Sequence, residues 1–132
     1  MSLLKKSEHN RIAVIRLKEF DLYAPAVHCC YYCCYQKILY ILKDYFEDQY
    51  SDFQQNEKKK SSHVSLLTIF KDCYEDHIDQ DNALQIIRRI KQLKGLRKRS
   101  DYGDDIVTKE EMEKADEYAK EILKMIKQDT NL

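Results

Sequence analysis

Apolar positions along this chain recur at helical spacing and nowhere alternate long enough to make a strand. Five helices follow from that period. The first spans roughly 8 to 20, with Ile12, Ile15 and Leu17 set between charges. Asp21 to Pro25 breaks the pattern, and Pro25 suits the first turn of the next helix, where its missing N–H leaves nothing unpaired. That second helix, roughly 25 to 50, is apolar nearly all round from Val27 to Leu42, the pattern of a central helix covered on several sides. Its end turns acidic and aromatic through Asp44, Tyr45, Phe46, Glu47 and Asp48. Ser51 to Ser62 is polar, carries Lys58, Lys59 and Lys60, and is the one long loop expected. Ser61 or Ser62 caps a third helix running to about His77, with Val64, Leu67, Phe70 and Tyr74 on one face. Asp79 or Asp81 caps a fourth that ends near Ser100, and Gly103 supplies a turn. Thr108 with Glu111 three residues on is a capping box for the fifth helix, where Met112, Ala115, Ala119, Ile122 and Ile126 fall at bundle spacing. The expected fold is all-α: an antiparallel up-and-down bundle of four to five helices, one domain over residues 1–132.

The fourth helix breaks its own pattern at Arg97. At about 100° per residue with Arg88 at zero, Ile86, Ile90 and Leu93 fall between about 140° and 200°. Ile87 and Ala83 widen the apolar arc to about 260°, and Arg97 lands at about 180°, in its middle. Arg88, Arg99, Lys91 and Lys98 lie on the opposite side or its flank. An arginine aimed where isoleucines and leucines point requires an acceptor, because an unpaired buried charge is expensive. A carboxylate, a phosphate or a cluster of carbonyls would serve.

Charged residues make up 35% of the chain and apolar ones 43%, which suits a helical globular protein better than a disordered one. Two glycines and one proline give little punctuation for an all-β fold, and they exclude P-loop and dinucleotide-binding fingerprints. The net charge of zero conceals a segregation. Residues 88 to 99 hold seven Lys or Arg and no acid, whereas residues 101 to 117 hold eight acids against Lys109 and Lys114. Either these are two solvated helix faces, or they form a local anion site masked by neighbouring acids. No apolar run is long enough to span a bilayer, and the N-terminus has no secretory-signal pattern. Five cysteines, four of them clustered, read as free thiols of a reducing cytoplasm.

The cluster Cys29, Cys30, Cys33, Cys34 sits mid-helix in the most apolar segment. A metal site there would need Cys30 and Cys33, one turn apart, joined by two of His63, Cys73 and His77. Packing is the favoured reading, since buried cysteine behaves as a small hydrophobe, and no metal or cofactor is expected. Tyr31, Tyr32, Tyr35 and Tyr40 belong to the second helix. Aromatics beside basic residues can stack nucleobases, but no tyrosine lies inside the basic stretch, which favours core filling. Of His9, His28, His63 and His77, none lies within helical reach of Arg97 and none has triad-like spacing.

The stretch LKGLRKRSDYGDDIVTKEEMEKADEYAKEILKMI, Leu93 to Ile126, resembles the C-terminal half of the HEPN family (higher eukaryotes and prokaryotes nucleotide-binding domains). The likeness lies in an arginine followed by Asp-Tyr, a short acidic loop, a Thr-capped helix start, and alanines at Ala115 and Ala119. AVHCCYYCCYQKIL, Ala26 to Leu39, is similar to the family's aromatic, small-residue central helix, and the resemblance covers roughly residues 20 to 127.

The resemblance implies a bundle that dimerises with the arginine motif of each subunit facing a shared cleft. Many members are metal-independent ribonucleases, often toxins paired with a small nucleotidyltransferase-like antitoxin. Their motif is an arginine, four to six residues, then a histidine. Arg97 takes the first place and would hold a phosphate, while Tyr102 stands where the shorter spacing expects histidine. A tyrosine hydroxyl ordinarily titrates near about 10 and makes a poor general base at neutral pH. Asp101 could accept a proton, yet it repels phosphate. The chain is thus similar to the family's histidine-lacking branch. The expected ligand-binding residues are Arg97, Asp101 and Tyr102, with no catalytic residue assigned. The expected function is a cytoplasmic, homodimeric module, non-catalytic or weakly catalytic, that binds nucleotide or RNA or acts as a partner, with a nucleotidyltransferase as one candidate partner. The alternatives are a ribonuclease toxin of a toxin–antitoxin pair, with Tyr102 or a distant histidine handling protons, and a structural adaptor in which Arg97 pairs internally with Asp101, Asp104 or Asp105.

Overall fold

The computed structural model describes residues 2–56 and 62–130, which form six helices and no strand. They are α1 (Leu3–Glu19), α2 (Tyr23–Tyr45), α3 (Glu47–Asn56), α4 (Ser62–His77), α5 (Gln80–Tyr102) and α6 (Lys109–Thr130). No helix among the described residues is long and apolar enough to cross a membrane. α1 begins earlier than its apolar period suggests, because the Ser2 hydroxyl caps it by accepting from the Lys5 N–H at 3.1 Å. Pro25 does fall in the first turn of α2. Asp79, and not Asp81, caps α5, its carboxylate accepting from the Asn82 N–H at 2.9 Å. At the head of α6, Thr108 Oγ1 accepts from the Glu111 N–H at 3.1 Å while Glu111 Oε1 reaches back to the Thr108 N–H at 3.4 Å, a reciprocal capping box.

The expected second helix and long loop are both corrected. The chain leaves helical geometry at Phe46 (φ −136°, ψ 58°), so α2 stops at Tyr45. Residues 51–56, expected as loop, belong instead to α3. The bend returns Tyr50 and Phe53 to the core, Phe53 fully so, and that apolar burial decides against an extended polar segment. The expected Lys58-Lys59-Lys60 loop and the Ser61 cap lie outside the described residues.

α2 is the central element. It packs against α1, α5 and α6 and meets α3 and α4 at its far end. Val27, Cys30, Tyr31, Cys33, Cys34, Ile38, Ile41 and Leu42 are all buried, which accounts for its apolar circumference. The cysteines pack as small hydrophobes: Cys33 Sγ lies 3.1 Å from the Cys30 carbonyl, and Cys34 Sγ lies 3.8 Å from the Ala119 carbonyl of α6. A larger side chain at either position would force the helices apart. Met112, Ala115, Ala119, Ile122 and Ile126 line the facing side of α6, as their spacing predicts.

Two aspartates of α6 tie the bundle together, one near each end. Asp116, whose side chain is 3% exposed, accepts from Arg11 at 2.5 Å and Lys18 at 2.8 Å of α1, with Lys120 at 3.4 Å. Asp129 accepts both from the Tyr74 hydroxyl of α4 and from Asn82 of α5, the latter at 2.9 and 3.1 Å. Burial alone would discourage ionisation of Asp116, but hydrogen bonds and charge from Lys18 and Arg11 outweigh it and hold the carboxyl at about 2, against an ordinary 3.8.

The depressed Asp116 contributes about 2 kcal/mol above pH 3.8, lost as the pH falls through about 2. Asp116→Asn leaves Arg11 and Lys18 facing a neutral amide and is expected to lower stability by roughly 2–4 kcal/mol at pH 7 while flattening the acid limb of the denaturation profile. Urea titrations across pH measure both. Thr108→Ala removes the exposed half of the capping box and is expected to cost about 1 kcal/mol in the same assay.

Candidate functional site

Along α5, Ala83, Ile86, Ile87, Ile90 and Leu93 enter the core, and one turn further on the same face follows Arg97, 6% exposed. The wheel position of this arginine is therefore its real one. Its guanidinium carbon lies 5.1 Å from the ring centre of Tyr31, 5.6 Å from Tyr32 and 5.9 Å from Tyr102. Aromatic faces offset part of the desolvation of a buried cation, though they accept no hydrogen bond of ordinary strength. Among the described residues the only carboxylate in reach is Asp101 Oδ2, at 3.5 Å from Nη1, long for a charged pair. Nε is buried without a hydrogen-bond partner. A guanidinium carries five N–H donors in a planar fork, and here the Nε donor is unspent.

Asp101 Oδ2 also receives a second group. Nδ1 of His28, from α2, lies 2.9 Å from the same oxygen, and the His28 ring lies against Tyr32 at 4.7 Å. Toward an ionised carboxylate Nδ1 must be the donor, leaving Nε2 as the nitrogen that accepts a proton when the ring is neutral. Beside this pair the Ser100 hydroxyl donates to the Ala24 carbonyl at 2.9 Å, pinning the last turn of α5 to the first of α2. The α5 turn closes at Gly103, whose N–H bonds the Arg99 carbonyl at 2.8 Å.

Of the three expected residues, Arg97 and Asp101 meet directly, and Tyr102 contributes the edge of the aromatic surround while remaining 78% exposed. The internal pair expected of the adaptor reading forms with Asp101. His28, Tyr31 and Tyr32 were not legible as site residues. His28 stands 73 positions from Asp101, and helical reach says nothing about a neighbour on another helix. The reading of tyrosines as core filling holds for Tyr31, which is fully buried, yet its ring is also part of the arginine's surroundings. Burial pushes the Tyr31 hydroxyl well above its ordinary titration range, so it stays protonated.

The basic and acidic segments partly face each other. Arg99 pairs with Glu111 at 2.9 Å, and Arg89 with Glu121 at 2.7 Å, both across the α5–α6 contact. The cysteines offer little chemistry beside this. Burial raises the Cys30 and Cys34 thiols, opposing the thiolate that a metal or redox role requires, while a hydrogen bond with Cys34 draws the Cys33 thiol down. Of the other ligands considered, His77 lies against Phe46 at 5.5 Å, and the His63 side chain falls outside the described residues. Among the described residues no three His, Cys, Asp or Glu side chains gather as a metal set.

Searches of curated proteins and of solved structures return no match. The model of the HEPN domain family does match, over residues 1–129. That span takes in the small-residue central helix, the buried arginine and the alanine-bearing last helix together, and the chain belongs to the HEPN family.

Proposed function

We propose that this chain is a cytoplasmic, homodimeric HEPN module that binds RNA or nucleotide through Arg97, without efficient nuclease chemistry, and belongs to a histidine-lacking branch of its family. Family membership supports a nucleotide- or RNA-related helical module. The observation that carries the reading is Arg97 itself, a buried guanidinium whose one carboxylate contact among the described residues is 3.5 Å long and whose Nε has no partner there. Such a fork suits a phosphate oxygen bidentately. Asp101 stands in the way as an anion already at that position, so phosphate binding competes with it. Tyr102, whose ring lies against Arg97, and Ile106, four residues on, are 78% and 90% exposed and supply apolar surface for a second subunit. A nucleotidyltransferase is the proposed type of heterologous partner, on family grounds alone.

A ribonuclease toxin is the second reading, and His28 favours it. The imidazole that the motif lacks at Tyr102 arrives from α2, hydrogen-bonded to the carboxylate that also contacts Arg97. In that reading His28 transfers protons and Arg97 stabilises charge on the phosphorane.

Three measurements decide. Asp101→Asn is expected to tighten binding of a short single-stranded RNA by roughly tenfold, and Arg97→Lys to weaken it by at least as much, both read by fluorescence anisotropy. In solution the protein is expected at twice its 15.9 kDa mass, with Ile106→Glu moving it toward monomer. Incubation with RNA and a chelator is expected to leave the RNA intact. Cleavage that disappears in both His28→Gln and Arg97→Lys would establish the toxin reading instead.

A further inference from the structure

A second cationic feature lies on the flank of α5 that faces α4. A groove of about 290 Å³ runs between these helices, with Leu67 and Ile87 on its apolar floor and Lys71, Lys91 and Lys94 along it against one carboxylate, Asp72. Lys98 continues the line one turn on. Taking α5 at about 100° per residue from Arg88, Ile87, Lys91, Lys94 and Lys98 all fall between about 240° and 300°, directly beside the face that carries Arg97. The three α5 lysines span about 10 Å of helix axis, room for two or three phosphates.

Their charge is not neutralised internally. The other basic residues of this helix have carboxylates: Arg89 meets Glu121, Arg97 meets Asp101 and Arg99 meets Glu111, leaving Arg88 on the far side of the wheel. Lys91, Lys94 and Lys98 form no ion pair among the described residues, and Lys71 has only Glu75, at 3.9 Å. Lys94 is half-buried, and burial together with the fields of Lys98, Arg97 and Lys91 holds its ammonium below the ordinary lysine range. The groove and the Arg97 site thus share one positive field, which an incoming polyanion would relieve.

We propose that Lys71, Lys91, Lys94 and Lys98 form a phosphate track for single-stranded RNA, leading along the α4–α5 groove to Arg97. This rests on the reading of Arg97 as a phosphate-binding residue and extends it to the substrate's backbone. The occupant is RNA and not an acidic protein or an anionic membrane, for two reasons. Lys71, Lys91 and Lys94 line a groove, which suits a thread better than a plane. Lys94 and Lys98 also flank Arg97 along α5, and its guanidinium is ringed by Tyr31, Tyr32 and Tyr102, of which Tyr102 is exposed and able to stack a base.

The test uses anisotropy of a labelled single-stranded RNA of about 12 nucleotides at several salt concentrations. The double variant Lys91→Gln, Lys94→Gln is expected to bind roughly tenfold to a hundredfold more weakly at low salt. Its plot of log affinity against log salt should be shallower by about 1.4, two single-strand phosphate contacts' worth. The charge-retaining pair Lys91→Arg, Lys94→Arg is expected to bind like the parent, and that outcome separates loss of charge from loss of fold. Parent protein that does not bind RNA at low salt overturns the reading of Arg97 and the track with it. Parent binding with unchanged affinity and slope in the glutamine variant overturns the track alone. Vesicles rich in phosphatidylserine, or polyglutamate, bound more tightly than the RNA would overturn RNA as the occupant.

Discussion

Everything at this end of the bundle is arranged around a guanidinium placed where a leucine would otherwise go. Arg97 follows Ile86, Ile90 and Leu93 down the buried face of α5, so it cannot leave without withdrawing that helix from α2. A charge so placed demands company. The described residues supply two buried or half-buried tyrosine rings from α2, one exposed ring from the last turn of α5, and a single distant carboxylate. Enough is supplied to tolerate the cation, while Nε remains unsatisfied. Such a shortfall is uncommon in a buried polar group, and it gives the arginine a reason to accept an outside anion.

The same arrangement dictates what α2 has to be. A helix covered by α1, α5 and α6 needs small side chains where the others approach closest, and Cys33 and Cys34 meet that need near α1 and α6. Farther toward its N-terminus it turns aromatic, because there the neighbour is a cation and not an alanine. One helix therefore carries two chemistries in succession, close packing and then cation accommodation. The ion pairs of α6 with α1 hold the other side of the bundle, so that the arginine's surroundings need not also hold the fold together.

Much of this was legible in one dimension. The wheel of α5 located Arg97 in the core, the Thr108–Glu111 spacing located the start of α6, and the apolar circumference of α2 marked it as the central helix. These are properties of one helix at a time, which periodicity reports directly. What escaped it depends on two helices meeting. His28 against Asp101, the tyrosines about Arg97, Arg11 against Asp116 and Tyr74 against Asp129 join residues tens of positions apart. The break at Phe46 escaped too, because polar residues of an amphipathic helix such as α3 look locally like those of a loop.

Gly103 gives the site a less visible dependence. Its φ of −81° is one that any residue can adopt, so the turn does not call for glycine on conformational grounds. The obstacle is space: a β-carbon there would stand 2.5 Å from the Arg99 carbonyl oxygen. Any side chain at this position would have to unwind the end of α5, the turn on which Asp101 and Tyr102 ride. The distance between an arginine and its carboxylate is thus set by an atom the protein leaves out, and mutational drift at a residue with no functional group would disturb the site as surely as a change to the arginine.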